Sequence, residues 1–140
     1  MYKLNEDFIT RDNIIFGSYQ PNKYIGGIRR FTADADTIRK LFERGFIDPE
    51  GRQNESPSAA ELFAYSVISK SKCRFTGYAV SHDREDYRVS IDGIESTVSS
   101  PYIMAEEITK FTQAFQETAD EFNIFNHENS GGVLLRAWWD

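Results

Sequence analysis

Met104-Ala105-Glu106-Glu107-Ile108-Thr109-Lys110-Phe111-Thr112-Gln113-Ala114-Phe115-Gln116-Glu117-Thr118-Ala119-Asp120-Glu121-Phe122 is the stretch whose reading decides the fold. Met104, Ile108, Phe111, Phe115 and Phe122 step by four, three, four and seven, which predicts one long helix with a continuous apolar stripe. Ser100-Pro101 marks its start, a cap residue followed by a first-turn proline. Glu106 and Lys110 form a favourable i, i+4 pair. Glu107, Gln113, Glu117 and Asp120 are assigned to the opposite, watered face. Burying each large apolar side chain of the stripe is worth roughly 1.5–3 kcal/mol, so this helix anchors the core.

On its C-terminal side, Val133 to Trp139 alternates as a strand. Val133, Leu135, Ala137 and Trp139 share one face, and Leu134, Arg136 and Trp138 share the other. Both faces are apolar enough for a central strand or one lying at an interface. On its N-terminal side, two further strands are expected, Arg74–Ser81 and Asp86–Glu95. In the second, Tyr87, Val89 and Ile91 face one way, and Arg88, Ser90 and Asp92 the other, the pattern of a half-buried antiparallel pair.

Residues 32–44 read as a helix with Ile38, Leu41 and Phe42 on one face. Gly45 suits a left-handed C′ position, with Phe46 packing back on Leu41. A second helix is expected from Ser56-Pro57 to about Ser69–Lys72, with Ser56 favoured as the cap over the competing capping box Ser58/Glu61. The first 31 residues suggest a strand at Asn13–Tyr19 and either a second short strand or a loop at Lys23–Ile28, the former completing a hairpin. The order α-α-β-β-α-β after that segment predicts an α+β fold of two layers: a small antiparallel sheet of three to five strands packed against about three helices, in a single domain over residues 1–140.

The chain has 140 residues, 14% of them aromatic, enough to close a core without disulfides or metal. Net charge is −6, and residues 100–140 carry seven acidic against two basic side chains. No basic stripe follows a phosphate backbone, so nucleic-acid binding is not expected. No signal-peptide pattern and no run of about 18 apolar residues occurs, so a cytoplasmic protein without a membrane anchor is expected. The lone Cys73 reads as a small apolar residue beside a strand. No glycine-rich phosphate loop or nucleophile elbow occurs, and no cofactor is expected.

Four places carry candidate binding chemistry. The loop Asp48–Glu55 is rich in oxygen ligands, but glycine is fourth rather than sixth and Arg52 occupies a ligand position, so it is no calcium loop. Arg52, Asn54 and Glu55 remain recognition candidates on a loop between two helices. The turn His82-Asp83-Arg84-Glu85-Asp86 gathers an imidazole, carboxylates and a guanidinium, which makes His82 and Arg84 candidates. His127 would complete a two-histidine, one-carboxylate site if it met His82 in space, although no metal is expected. Trp138 and Trp139 point oppositely; one fills the core, and Trp138 is the candidate contact residue. These features point first to a non-catalytic protein-binding or regulatory module, with a protein partner or a homodimer. The alternative is a small hydrolase using a histidine–carboxylate site.

Overall fold

The long helix stops early. In the computed structural model, which describes residues 2–127 and 131–140 (of His127 the backbone only), the helix that begins at Met104 ends at Phe115. The Asp120 N–H then donates to the Trp138 carbonyl at 2.9 Å, and Glu121–His127 runs as a strand. Phe122 satisfies both periods: seven residues on from Phe115 it continues the helical stripe, and it also alternates with Asn123 and Ile124. Pairing with the C-terminal strand decides between them. Phe122 still joins the same core, 5.8 Å from the Phe111 ring.

The elements are α1 (Phe8–Phe16), a 3-10 turn at Pro21–Lys23, β1 (Ile28–Asp34), α2 (Ala35–Glu43), α3 (Ala59–Ile68), β2 (Lys72–Val80), β3 (Val89–Val98), α4 (Met104–Phe115), β4 (Glu121–His127) and β5 (Gly132–Trp138). The five strands form one antiparallel sheet in the order β1-β2-β3-β5-β4. This is the expected α+β class, with four α-helices and the largest sheet foreseen.

The first 31 residues depart from the expected hairpin. Asn13–Phe16 belongs to α1, because the Asp7 side chain accepts from the Thr10 N–H and Gly17, at φ +84°, closes the last turn. The bend at Gly26-Gly27 then leads into β1, and β1 takes residues 32–34 from the start of the expected helix. Asp34 ends the strand and caps α2, its carboxylate accepting from the Thr37 N–H at 2.8 Å. At the other end of α2 the expected closure forms: Gly45 lies at φ +79°, the Phe46 N–H donates to Leu41 O, and Phe46 is buried. In α3 the capping box at Ser58 and Glu61 wins over Ser56. The buried Ser56 hydroxyl is taken up instead by the Gln53 N–H and the Pro57 carbonyl.

Glu107 is also not on a watered face. It is 1% exposed, and its Oε1 accepts from Ser69 Oγ at 2.9 Å and from the Lys70 N–H at 2.6 Å. It thereby holds the end of α3 to the start of α4.

One bulge sets the parity of β3. Thr76 faces Gly93 but Gly77 faces Ile91, which leaves Asp92 as the extra residue. Val89 and Ile91 therefore point to the core before the bulge, and Ile94, Ser96 and Val98 after it. Gly77 is required beside it, since a Cβ there would overlap the Ser90 carbonyl and lie 2.7 Å from Phe31 Cζ.

The helices cover one face of the sheet. Ile38, Leu41, Leu62, Phe75, Ile94, Phe111, Leu135 and Trp139 are fully excluded from water there. Rings meet edge to face: Phe111 with Phe115 at 4.9 Å, Tyr65 with Phe115 at 4.9 Å, and Phe115 with Trp139 at 5.7 Å. No helix among the described residues is long and apolar enough to cross a membrane.

Two tyrosines in this framework make stability sensitive to alkali. Burial, and then the hydrogen bond to Asp12, push the Tyr24 hydroxyl far above the ordinary tyrosine value of 10.0; burial and the Glu107 charge do the same to Tyr65. The unfolded chain therefore loses these protons first. Between the unfolded and folded values it binds fewer protons than the native state, so stability falls as pH rises. The contribution is fully present below pH 10 and is lost progressively above it. Urea midpoints should hold between pH 8 and about 9.5 and drop toward pH 11, and Tyr65→Phe should flatten the drop. A profile level to pH 11 would contradict this account.

Candidate functional site

The helices leave the opposite face of the sheet open. Register aligns Thr32, Thr76, Gly93, Trp138 and Glu121 in one row across all five strands. Gly93 is buried in this row, and a Cβ there would come 2.3 Å from Thr76 Oγ1, so its neighbours already fill the place of a side chain. On the same face lies a shallow recess of about 370 Å³ lined by Arg30, Phe31, Thr32, Thr76, Arg136 and Trp138.

The electrostatics of the recess are layered. Asp92, raised on the bulge, is buried; its Oδ1 accepts from Thr76 Oγ1 at 2.9 Å and its Oδ2 from Arg30 Nη2 at 2.6 Å. The Asp92 side chain is 3% exposed and that of Arg30 57%. Anything approaching the face meets the guanidinium, while the carboxylate that fixes it lies underneath. Arg136 stands beside Trp138 and reaches Glu121 at 3.5 Å. Above them, Tyr78 lies under two guanidinium groups, Arg88 at 5.6 Å and Arg30 at 5.9 Å from its ring centre. The Tyr78 hydroxyl donates to Gln53 Oε1 at 2.8 Å and accepts from Arg88 Nη2 at 3.1 Å.

The residues singled out from sequence do not converge here, apart from Trp138. Arg52 is occupied by the Ser56 carbonyl and by Glu61, each at 3.0 Å, and secures the entry to α3. Asn54, at φ +50°, donates its amide to the Asp140 main-chain oxygen and ties that loop to the C-terminal end. Glu55 is exposed on the same loop. Arg84 is held by both Asp86 carboxylate oxygens, at 2.8 and 2.7 Å, and by the Gly26 carbonyl at 3.0 Å.

His82 lines a separate open cleft of about 740 Å³ with Glu6, Phe8, Glu85 and Tyr87. Its ring stacks flat on Phe8, with centroids 3.7 Å apart and planes at 8°, and meets Tyr19 edge-on. No carboxylate among the described residues is hydrogen bonded to it.

His127 closes β4 opposite Gly132, and its side chain lies outside the described residues. Backbone register alone separates the two histidines. His82 follows the end of β2 that pairs with the start of β1, whereas His127 is at the other end of the sheet, on the β4 edge. The two-histidine site therefore does not form. Among the described residues no group of three or more His, Cys, Asp or Glu side chains is placed to hold a metal. Cys73 is buried, and burial pushes its thiol up, away from the thiolate a nucleophile needs.

Arg30, Tyr78, Asp92, Gly93 and Arg136 were not singled out from sequence. The available signal was Asp92-Gly93 inside an otherwise regular strand, two residue types that strands disfavour and bulges accept. Set against protein-family models, curated proteins and solved structures, the chain gives no significant match to any of them.

Proposed function

We propose that the chain is a non-catalytic protein-binding module that uses the open face of its sheet to dock an acidic segment of a partner protein. The observation that supports this most is the pairing of a half-buried Trp138 with an exposed Arg30 whose counter-charge is buried beneath it. An open antiparallel face ordinarily carries small polar side chains. This one carries tryptophan, tyrosine and arginine, the residue types that dominate binding hot spots. Arg30 keeps donors free of Asp92, and a partner carboxylate can take two of them in parallel. Trp138 and the recess it lines suit an adjacent apolar side chain. The hydrolase alternative rests on His82 or His127 with a nearby carboxylate; His82 stacks on Phe8 with no carboxylate bonded to it among the described residues, and the His127 side chain lies outside them.

Peptides selected from a displayed random library against the folded chain should carry Asp or Glu next to an aromatic or aliphatic residue. Trp138→Ala should weaken such peptides by about tenfold or more with the melting temperature little changed, and Arg30→Lys, which keeps a cation beside the buried Asp92 but cannot grip a carboxylate with two parallel donors, should weaken them as well. Binding should also weaken as salt rises. Selected peptides lacking an acidic residue, or binding both variants as well as the parent, would rule the reading out.

A further inference from the structure

The two edges of the sheet are finished differently. β1 carries Arg29, Arg30 and Asp34 and is flanked by α1 and α2. Charges and covering elements of that kind stop an edge from pairing with another chain. β4, Glu-Phe-Asn-Ile-Phe-Asn-His over 121–127, has no Lys, Arg or Pro. Among the described residues it pairs only with β5. Every second residue of its outer side therefore presents unpaired backbone donors and acceptors.

Each face of this edge also holds one large apolar side chain exposed to water. Ile124 lies on the helix side, in register with the buried Leu135, yet is 45% exposed. Phe125, on the open side in register with Leu134, is 46% exposed.

We infer that β4 pairs antiparallel with β4 of a second copy of this chain, about a two-fold axis at Ile124, joining two sheets into one of ten strands. Parity limits the register. Residues opposite one another must lie on the same face, so the axis must pass through a residue rather than between two. With the axis at Ile124 all seven residues find partners: Asn123 faces Phe125, Phe122 faces Asn126, and Glu121 faces position 127. Glu121, the strand's one carboxylate, then meets no like charge. Each Ile124 packs against its counterpart under the helix layer, and each Phe125 is covered on the open side. The pairing also sets two copies of the Trp138 recess on the same side of one continuous sheet, but it does not depend on what that recess binds.

Sedimentation of the wild-type chain should show a monomer–dimer equilibrium up to about 1 mM, and Ile124→Lys, which brings two ammonium groups together at the axis, should weaken it by about tenfold or more. Register is tested by single cysteines. Opposed residues in an antiparallel pair have Cα atoms about 4.5–5.5 Å apart, within disulfide reach. Mild oxidation should therefore cross-link Ile124→Cys to a covalent dimer, because that residue meets itself. Asn123→Cys and Phe125→Cys should not cross-link, and neither should the wild type, whose Cys73 is buried. Circular dichroism confirms that each variant is folded. A wild-type chain monomeric throughout, leaving the edge to another protein, overturns the proposal, and so does cross-linking at 123 or 125 in place of 124.

Discussion

Asp12→Ala should destabilise the folded chain by about 3–5 kcal/mol, although Asp12 lies on a nine-residue helix near the N-terminus and far from the recess. Arg11 is 1% exposed and Asp12 is wholly buried. Arg11 Nε donates to Asp12 Oδ1 at 2.9 Å, Nη1 to the Val80 carbonyl at 2.8 Å, and Nη2 to the Tyr24 hydroxyl at 2.8 Å. Tyr24 in turn donates to Asp12 Oδ2 at 2.5 Å, and the guanidinium sits 4.7 Å from the Tyr87 ring centre. The network satisfies both charges and clamps α1 onto the end of β2. Removing the carboxylate leaves a guanidinium buried without its counter-ion and a phenol without its acceptor, the costly way to break an internal ion pair. Arg11→Ala should cost a similar amount. The double variant Arg11→Leu/Asp12→Leu should recover much of the loss, because two apolar groups leave no charge stranded. Urea unfolding of the three variants is the measurement. A loss below about 1 kcal/mol for either single change would mean that water reaches the pair.

Trp139→Ala should cost about 3–5 kcal/mol, while its neighbour Trp138→Ala should cost about 1 kcal/mol or less. Trp139 is fully buried, edge-on to Phe115 at 5.7 Å, with Nε1 donating to Thr118 Oγ1 at 3.2 Å. Truncation there empties a cavity that helix and sheet cannot close and strands the threonine hydroxyl. Trp138 lies beside Gly93 on the uncovered face and is itself partly in water, so its loss opens no enclosed cavity. Equilibrium unfolding separates the two. Equal losses would make Trp138 a core residue and remove the main support for a docking face on that side.

The contrast between the two tryptophans was half legible in the sequence. Alternation places them on opposite faces, and the company of Val133, Leu135 and Ala137 assigns Trp139 to the core. Whether anything covers Trp138 depends on where every helix packs, which no local pattern reports. The same division holds at the recess. Asp92 and Gly93 look out of place in a strand, but only the pairing of Thr76 with Gly93 and Gly77 with Ile91 turns Asp92 inward to anchor Arg30. Near Arg52 and His82 the sequence shows only collections of polar residues; in the fold Arg52 is held by Ser56 and Glu61, Arg84 by Asp86 and Gly26, and His82 stacks on aromatic rings.

The sequence by itself determined the α+β class, the three clearest strands, the core stripe of α4 and the Gly45–Phe46 closure of α2. Each depends on spacings within one turn or one strand, so local backbone geometry is enough to express it. Tertiary structure alone decided that α4 yields to β4 after Phe115, that α1 is helical and clamped through Arg11 to Val80, 69 residues away, and that Glu107 turns inward to the end of α3. In these places local spacing is compatible with more than one arrangement. Hydrogen bonds to distant strands and the burial of charge against a distant partner settled the choice.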